Sequence, residues 1–174
     1  MFRFGPVVFP PNVRYGDIVK GLPVLANSAA GVYASHVLEH LALEDLRTAL
    51  RHTLLMLKAG GVFRLVVPDL EQLTHYYLAR VERRDPESSN WFMRTLQLGS
   101  ERSRRSTQSR LAAAFGNGAH LWMWDYCTLA AELEQAGFVN IRRCAFGDCV
   151  DEKFRLVEDE ARFDGSCAIE ARSQ

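Results

Sequence analysis

His36, Glu39 and His40 lie in the stretch YASHVLEHL, in the order H-x-x-E-H. On one helical turn this order is the inverted zinc-protease motif, in which two imidazoles bind the metal and the carboxylate acts as general base. His36, however, stands at the end of an apolar, β-rich run, so it and His40 are not expected to share a helical face. We therefore predict that these three residues bind no metal. Glu39 and His40 are expected to hold the strand-to-helix connection together.

The composition is that of an ordinary globular protein. The 174 residues suggest a single domain over 1–174, and 21 basic against 21 acidic side chains give no net charge. A balanced charge argues against a nucleic-acid partner. No apolar run reaches the ~18 residues that span a bilayer, which argues against a membrane partner. The opening MFRFGPVVFPPN lacks a signal-peptide pattern, so the sequence predicts a cytoplasmic protein with free thiols at its four cysteines.

Apolar residues alternate between strand-like and helix-like spacing along the chain. The predicted elements, in chain order, are strand 30–37, helix 44–58, strand 62–67, helix 70–81, a late helix ending at Gly137, and strands 138–146 and 166–172. Gly60 and Gly61 are expected to end the first helix in a left-handed cap. The pattern predicts an α/β, Rossmann-like fold with a mostly parallel sheet and an antiparallel C-terminal edge hairpin.

A polar insertion interrupts this pattern at about 82–118. From Arg80 to Arg110 the chain carries eight arginines and four acidic residues. Two interpretations remain open. One is an exposed insertion, within which GSERSRRSTQSR is expected to be a solvated, mobile loop. The other is a lid or patch for an anionic substrate.

Three blocks in order resemble class I S-adenosylmethionine-dependent methyltransferases, most closely the small bacterial type called methyltransferase type 11. They are YGDIVKGLPVLANSAAGVYASHVLEHL, LMLKAGGVFRLVVPDL and LEQAGFVNIRR, within a likeness that runs from Val13 to Arg172. The resemblance implies a Rossmann-like fold, S-adenosylmethionine as cofactor and a ligand crevice beyond the carboxyl ends of the strands.

The same resemblance implies a set of cofactor-binding residues. Ser35 and His36 fall where the family places the methionine end of the cofactor and the substrate. Asp17 falls where an acidic residue accepts a hydrogen bond from the adenine amine, and Ile18 would pack on the purine ring.

Substrate-binding residues are implied at the end of the next strand and before the late helix. Pro68 and Asp69 would lie on the substrate side of the crevice. For His120 and Trp122 two interpretations remain open, a wall of the substrate pocket and simple packing of Trp122 against Trp124.

The segment before Asp17 departs from the family pattern. MFRFGPVVFPPNVRY contains one glycine, no G-x-G and no acidic residue, whereas the family grips the methionine part of its cofactor with a glycine-rich loop. The sequence therefore predicts an N-terminally truncated methyltransferase fold.

Two functions follow from these features. The first is methyl transfer to a small-molecule or sugar-containing acceptor, with His36 as the first candidate for a general base and His120 as the second. The alternative is a catalytically inactive methyltransferase-fold protein that acts as a binding or assembly subunit. An exposed N-terminal sheet edge would favour a homo-oligomer in that case.

Overall fold

The computed structural model describes residues 10–99, 101 and 119–174. This part of the chain contains a four-stranded sheet in the order β1-β2-β4-β3. The strands are Ala29–Ser35 (β1), Leu57–Pro68 (β2), Val139–Arg143 (β3) and Ser166–Arg172 (β4). β1 and β2 pair in parallel, and β4 pairs antiparallel with both β2 and β3. The predicted α/β fold with an antiparallel C-terminal strand pair is therefore confirmed.

Within the described ranges, four helices and three short 3-10 turns connect these strands. The helices are Leu43–Met56 (α1), Leu70–Glu82 (α2), Ser88–Thr95 (α3) and Tyr126–Ala136 (α4). The 3-10 turns are Leu38–His40, Glu152–Leu156 and Glu160–Arg162. Among the residues that the structure describes, no helix is long and apolar enough to cross a membrane.

The hydrophobic core lies between one face of the sheet and helices α1 and α4. Alternate residues of β2 point into it because side chains alternate between the two faces of a strand. Its buried members include Leu46, Leu50, Phe63, Leu65, Val67, Leu129, Leu133 and Ile169. The leucines of α1 recur every three or four residues, so one stripe of that helix is buried against the sheet.

The end of α1 differs from the sequence-based prediction. The helix ends at Met56, and Leu57 is already extended and buried as the first residue of β2. Gly60 does have a positive φ of 70°, but it lies in a bulge of β2, between Leu57 and Val62, which both pair with β1. The predicted cap at Gly60 and Gly61 is therefore wrong, because burial of Leu57 turns the chain into the strand earlier.

Part of the predicted polar insertion is helical. The α3 helix lies within it and packs on α2, where the rings of Tyr77 and Phe92 are 4.8 Å apart. The guanidinium of Arg80 lies 4.9 Å from the ring centre of Trp91. The predicted mobile loop GSERSRRSTQSR falls mostly on residues 100 and 102–118, which lie outside the described residues, so the loop and the lid both stay predictions.

The second face of the sheet carries a buried arginine on β2. Arg64 contacts Glu158, Asp148 at 2.9 Å, Glu170 at 3.1 Å and the carbonyl of Ala145 at 2.6 Å. Its side chain is fully buried. Burial opposes its charge, but the adjoining carboxylates, Glu158 first, raise the pKa of Arg64 above its ordinary value. These contacts fix the long connection between β3 and β4 against the sheet.

The β1 strand forms one edge of the sheet in the described part of the chain, since its pairing there is with β2. Such an edge presents unpaired backbone groups that favour pairing with a further strand. Self-association through this edge stays a prediction.

Replacing Arg64 by methionine should strongly destabilise the fold. The change leaves the buried carboxylate of Glu158 without its cation and Glu170 with Arg142 alone, which costs about 3–5 kcal/mol of the free energy of unfolding. Arg142→Met is the matched control, because Arg142 contacts Asp148 and Glu170 but its side chain is 42% exposed. We expect the control to lose less than about 1 kcal/mol. Urea denaturation measures the free energy of unfolding of both variants. Equal losses would contradict the conclusion that the stability depends on the buried Arg64.

Candidate functional site

The carboxyl ends of β1 and β2 meet at the same edge of the sheet because the two strands are parallel. His36 follows β1 directly, with a positive φ of 52°, and its N–H donates to the carbonyl of Val66 at 2.8 Å. Asp69 follows β2 directly. This edge is where open α/β sheets bind their ligands.

The segment 119–124 crosses the ends of both strands. The carbonyl of Glu39 accepts hydrogen bonds from the N–H groups of Leu121 at 2.7 Å and Trp122 at 3.2 Å. At the other end of the segment, the N–H of Leu70 donates to the carbonyl of Trp124 at 2.9 Å. His120 and Trp122 are thereby brought to the same edge of the sheet as His36. We refer to the part of this edge that these residues border as the crevice, because the resemblance implies a ligand crevice there.

Both ring nitrogens of His36 have neighbours. Nε2 lies 3.1 Å from the carbonyl oxygen of Arg162, and Nδ1 lies 3.2 Å from a carboxylate oxygen of Glu39. The contact with Glu39 raises the pKa of His36, with burial opposing and the Arg162 carbonyl adding to the effect. A carbonyl only accepts, so Nε2 carries a proton, and in this conformation His36 offers no free lone pair to a substrate.

The H-x-x-E-H residues do not form one helical turn. After His36 the chain forms the 3-10 turn Leu38–His40, which brings Glu39 and His40 towards His120. The rings of His40 and His120 are 5.0 Å apart, and the ligating atoms of Glu39, His40 and His120 all lie within 4.8 Å of one another. Burial lowers the pKa of His120.

Several buried polar atoms around the crevice have no hydrogen-bond partner among the described residues. They are Ser35 Oγ, both carboxylate oxygens of Glu39, His120 Nδ1 and Trp124 Nε1. Buried polar atoms are nearly always paired, because an unpaired one costs about 1–3 kcal/mol. Their concentration at one edge of the sheet indicates a site for a polar ligand or ion.

The carboxylate of Asp69 is engaged in local structure. Its Oδ1 accepts hydrogen bonds from the N–H groups of Glu71 at 2.9 Å and Gln72 at 3.3 Å, which caps the start of α2. Its Oδ2 lies 3.5 Å from a guanidinium nitrogen of Arg143. Asp69 and its neighbour Pro68 therefore border the crevice, but the Asp69 side chain mainly fixes the junction between β2 and α2.

The two tryptophans differ in exposure. Trp124 is fully buried, whereas Trp122 is 43% exposed. Their rings are 6.1 Å apart. Packing thus accounts for Trp124, and the exposed part of Trp122 remains available to a ligand.

Asp17 and Ile18 do not lie in the crevice. The carbonyl of Ile18 accepts a hydrogen bond at 2.9 Å from the ring of His52, one turn before the end of α1. That end lies at the start of β1, where the N–H of Ser28 donates to the carbonyl of Met56 at 3.0 Å. A local turn thus holds both residues at the opposite edge of the sheet, and the adenine contacts stay a prediction.

Sequence reasoning missed two features of the site. The charge of Arg64 within the apolar run VFRLVV indicates that a buried partner must exist. It does not indicate which carboxylates provide that partner. The approach of His120 to Glu39 and His40 has no local signal, because about 80 residues separate the two segments.

Comparisons with known proteins identify the fold. A solved S-adenosylmethionine-dependent methyltransferase from Archaeoglobus fulgidus aligns with a TM-score of 0.50 and 19% identity, over 93% of this chain and 67% of the other. A chain from the complex that contains the Haloferax volcanii Trm112 methyltransferase activator aligns with a TM-score of 0.49 and 16% identity, over 91% of this chain. This chain spans 59% of that second structure's length.

No protein-family model and no curated protein matches the sequence. The likeness to solved structures is thus a likeness of fold. The α/β fold, with its parallel β1–β2 pair and antiparallel β4, is therefore similar to the fold of the S-adenosylmethionine-dependent methyltransferase from Archaeoglobus fulgidus.

Asp69→Ala should destabilise the chain by about 1 kcal/mol, because α2 loses its N-terminal cap. Asp69→Asn should retain most of the stability, since asparagine caps helices about as well as aspartate. Asp164→Ala, at an exposed position, is the control and should have little effect. Chemical denaturation measures the free energy of unfolding of all three variants. If asparagine is as damaging as alanine, capping is not what Asp69 contributes.

Proposed function

We propose that this chain performs S-adenosylmethionine-dependent methyl transfer at the crevice beyond β1 and β2. The observation that carries the proposal is the buried hydroxyl of Ser35 at the carboxyl end of β1. The hydroxyl of Tyr33 lies near it, but neither hydroxyl has a hydrogen bond of acceptable geometry among the described residues. In a methyltransferase fold this strand end borders the ligand crevice. An unpartnered polar atom in that place fits a polar ligand better than it fits a packed core.

The residues at this edge fit one part of the cofactor. Ser35 and the backbone of His36 would hold its methionine end. Asp17 and Ile18, which the resemblance implies for the adenine, lie beside His52 of α1, so the adenine contact stays a prediction. When bound, S-adenosylmethionine supplies an electrophilic methyl group.

The chain's own contribution is to position the acceptor and exclude water, which is most of what an in-line displacement requires. Trp122, Pro68 and Asp69 border the acceptor side of the crevice. The exposed ring of Trp122 offers a flat apolar surface, which suits a small molecule or the face of a sugar ring. A small-molecule or sugar-containing acceptor is therefore the proposed substrate class.

An acceptor that must lose a proton needs a base at the crevice. His36 is the first candidate by position. Its Nε2 becomes a proton acceptor once it leaves the carbonyl of Arg162 and gives up its proton to solvent, with Nδ1 then carrying the ring proton towards Glu39. His120 is the second candidate, because its Nδ1 has no hydrogen-bond partner among the described residues.

Isothermal titration calorimetry with S-adenosylmethionine and S-adenosylhomocysteine tests the proposal. We expect saturable binding of both, and we expect Ser35→Ala to weaken it about 3- to 10-fold through loss of one hydrogen bond. Stability should not fall in this variant, because the hydroxyl has no partner among the described residues of the unliganded protein.

Ser89→Ala is the matched control, since Ser89 is exposed on α3, and it should bind like the unchanged chain. Absence of heat for both ligands at millimolar concentration would overturn the proposal for this chain. Equal affinity of the Ser35→Ala variant would remove Ser35 from the site.

A further inference from the structure

Glu39, His40 and His120 form a cluster beside the crevice. The first two lie in the 3-10 turn after β1, and the third lies in the segment that crosses the strand ends. Their ligating atoms all lie within 4.8 Å of one another, and no other trio of histidine, cysteine or acidic residues in the described ranges comes so close together. The cluster joins two imidazoles and one carboxylate.

The carboxylate of Glu39 lacks the contacts that a buried charge requires. Its side chain is 1% exposed, and neither oxygen accepts a hydrogen bond from any described residue. The nearest cationic group is His36, whose Nδ1 lies 3.2 Å away but is not directed as a hydrogen bond. An ionised carboxylate buried in this way needs a further positive partner.

Each of the two imidazoles has a ring nitrogen that is free of protein hydrogen bonds in the described part of the chain. His40 Nδ1 lies 3.2 Å from the carbonyl oxygen of Ala119, and because a carbonyl only accepts, Nδ1 carries the proton and Nε2 is left with the lone pair. A ring nitrogen that donates to a carbonyl is the usual support of a metal-bound histidine. His120 Nδ1 is buried and has no partner among the described residues.

We propose that Glu39, His40 and His120 bind a divalent transition-metal ion of the zinc type. Two histidines and one glutamate are a common ligand set for Zn²⁺, with a fourth position left for water or another ligand. Zinc bonds of about 2.0–2.1 Å place tetrahedral ligands about 3.4 Å apart, so the cluster closes by about 1–1.5 Å when it binds the ion. Side-chain rotation supplies a movement of this size.

The proposal changes the expectation drawn from the sequence. His36 stays outside the ligand set, as its position at the end of β1 predicts. The third ligand comes instead from His120, about 80 residues further along the chain. Binding of the metal ion does not depend on binding of S-adenosylmethionine. A negative result for one ligand therefore does not contradict the proposal for the other. An ion on His120 also removes that residue as a base.

Metal content and zinc affinity test the site directly. Protein stripped with a chelator and titrated with ZnCl₂ by calorimetry should bind one equivalent. Because loss of a supporting residue alone weakens metal sites 10- to 100-fold, loss of a ligand in Glu39→Gln or His120→Ala should weaken binding by about 100-fold or more. His75→Ala is the matched control, since His75 is exposed on α2, and it should bind zinc normally.

Reconstitution with Co²⁺ identifies the ligands without any substitution. Nitrogen and oxygen ligation should give visible d–d absorption bands without a thiolate-to-cobalt charge-transfer band, which excludes binding by the free cysteines. Far-UV circular dichroism checks that each variant is folded. Less than one equivalent of zinc, a thiolate band, or unchanged affinity in folded Glu39→Gln and His120→Ala variants would each overturn the proposal.

Discussion

The buried charge of Arg64 is the constraint on which the rest of the structure depends. A guanidinium on the central strand is costly unless carboxylates surround it, and Glu158, Asp148 and Glu170 supply them. Asp148 and Glu158 belong to the connection between β3 and β4, so the ion cluster holds that connection across one face of the sheet. The far end of the same connection brings the carbonyl of Arg162 to His36. The ion cluster around Arg64 thus helps to position the carbonyl of Arg162 at the crevice.

The crevice itself depends on a second segment, which crosses the carboxyl ends of β1 and β2. The segment 119–124 is tied to Glu39 at one end and to Leu70 at the other, so the carboxyl ends of β1 and β2 are bridged by backbone hydrogen bonds. These bonds satisfy main-chain groups but leave side-chain atoms of Ser35, Glu39 and His120 unpaired. The backbone is therefore preorganised while the side chains remain free for a ligand or an ion.

Local patterns predicted the elements well, and tertiary contacts explain what they missed. The leucine spacing of α1 and the apolar run of β2 follow directly from helix and strand periodicity. The glycine cap failed because burial of Leu57 outweighed the local preference of Gly60. The adenine contact of Asp17 stays a prediction, and the hydrogen bond between Ile18 and His52 could not be foreseen because it joins segments that no local pattern relates.

The central claim is that ligands bind at the carboxyl edge of β1 and β2. Two-dimensional ¹H–¹⁵N spectra recorded during titration with S-adenosylhomocysteine test it most directly, because each backbone amide reports its own surroundings. The account predicts that the largest shifts occur at His36, Leu70 and Trp122, while Ile18 and Gly21 at the opposite edge stay unchanged. Shifts concentrated at Ile18 and Gly21, or no shifts at saturating ligand, would contradict it.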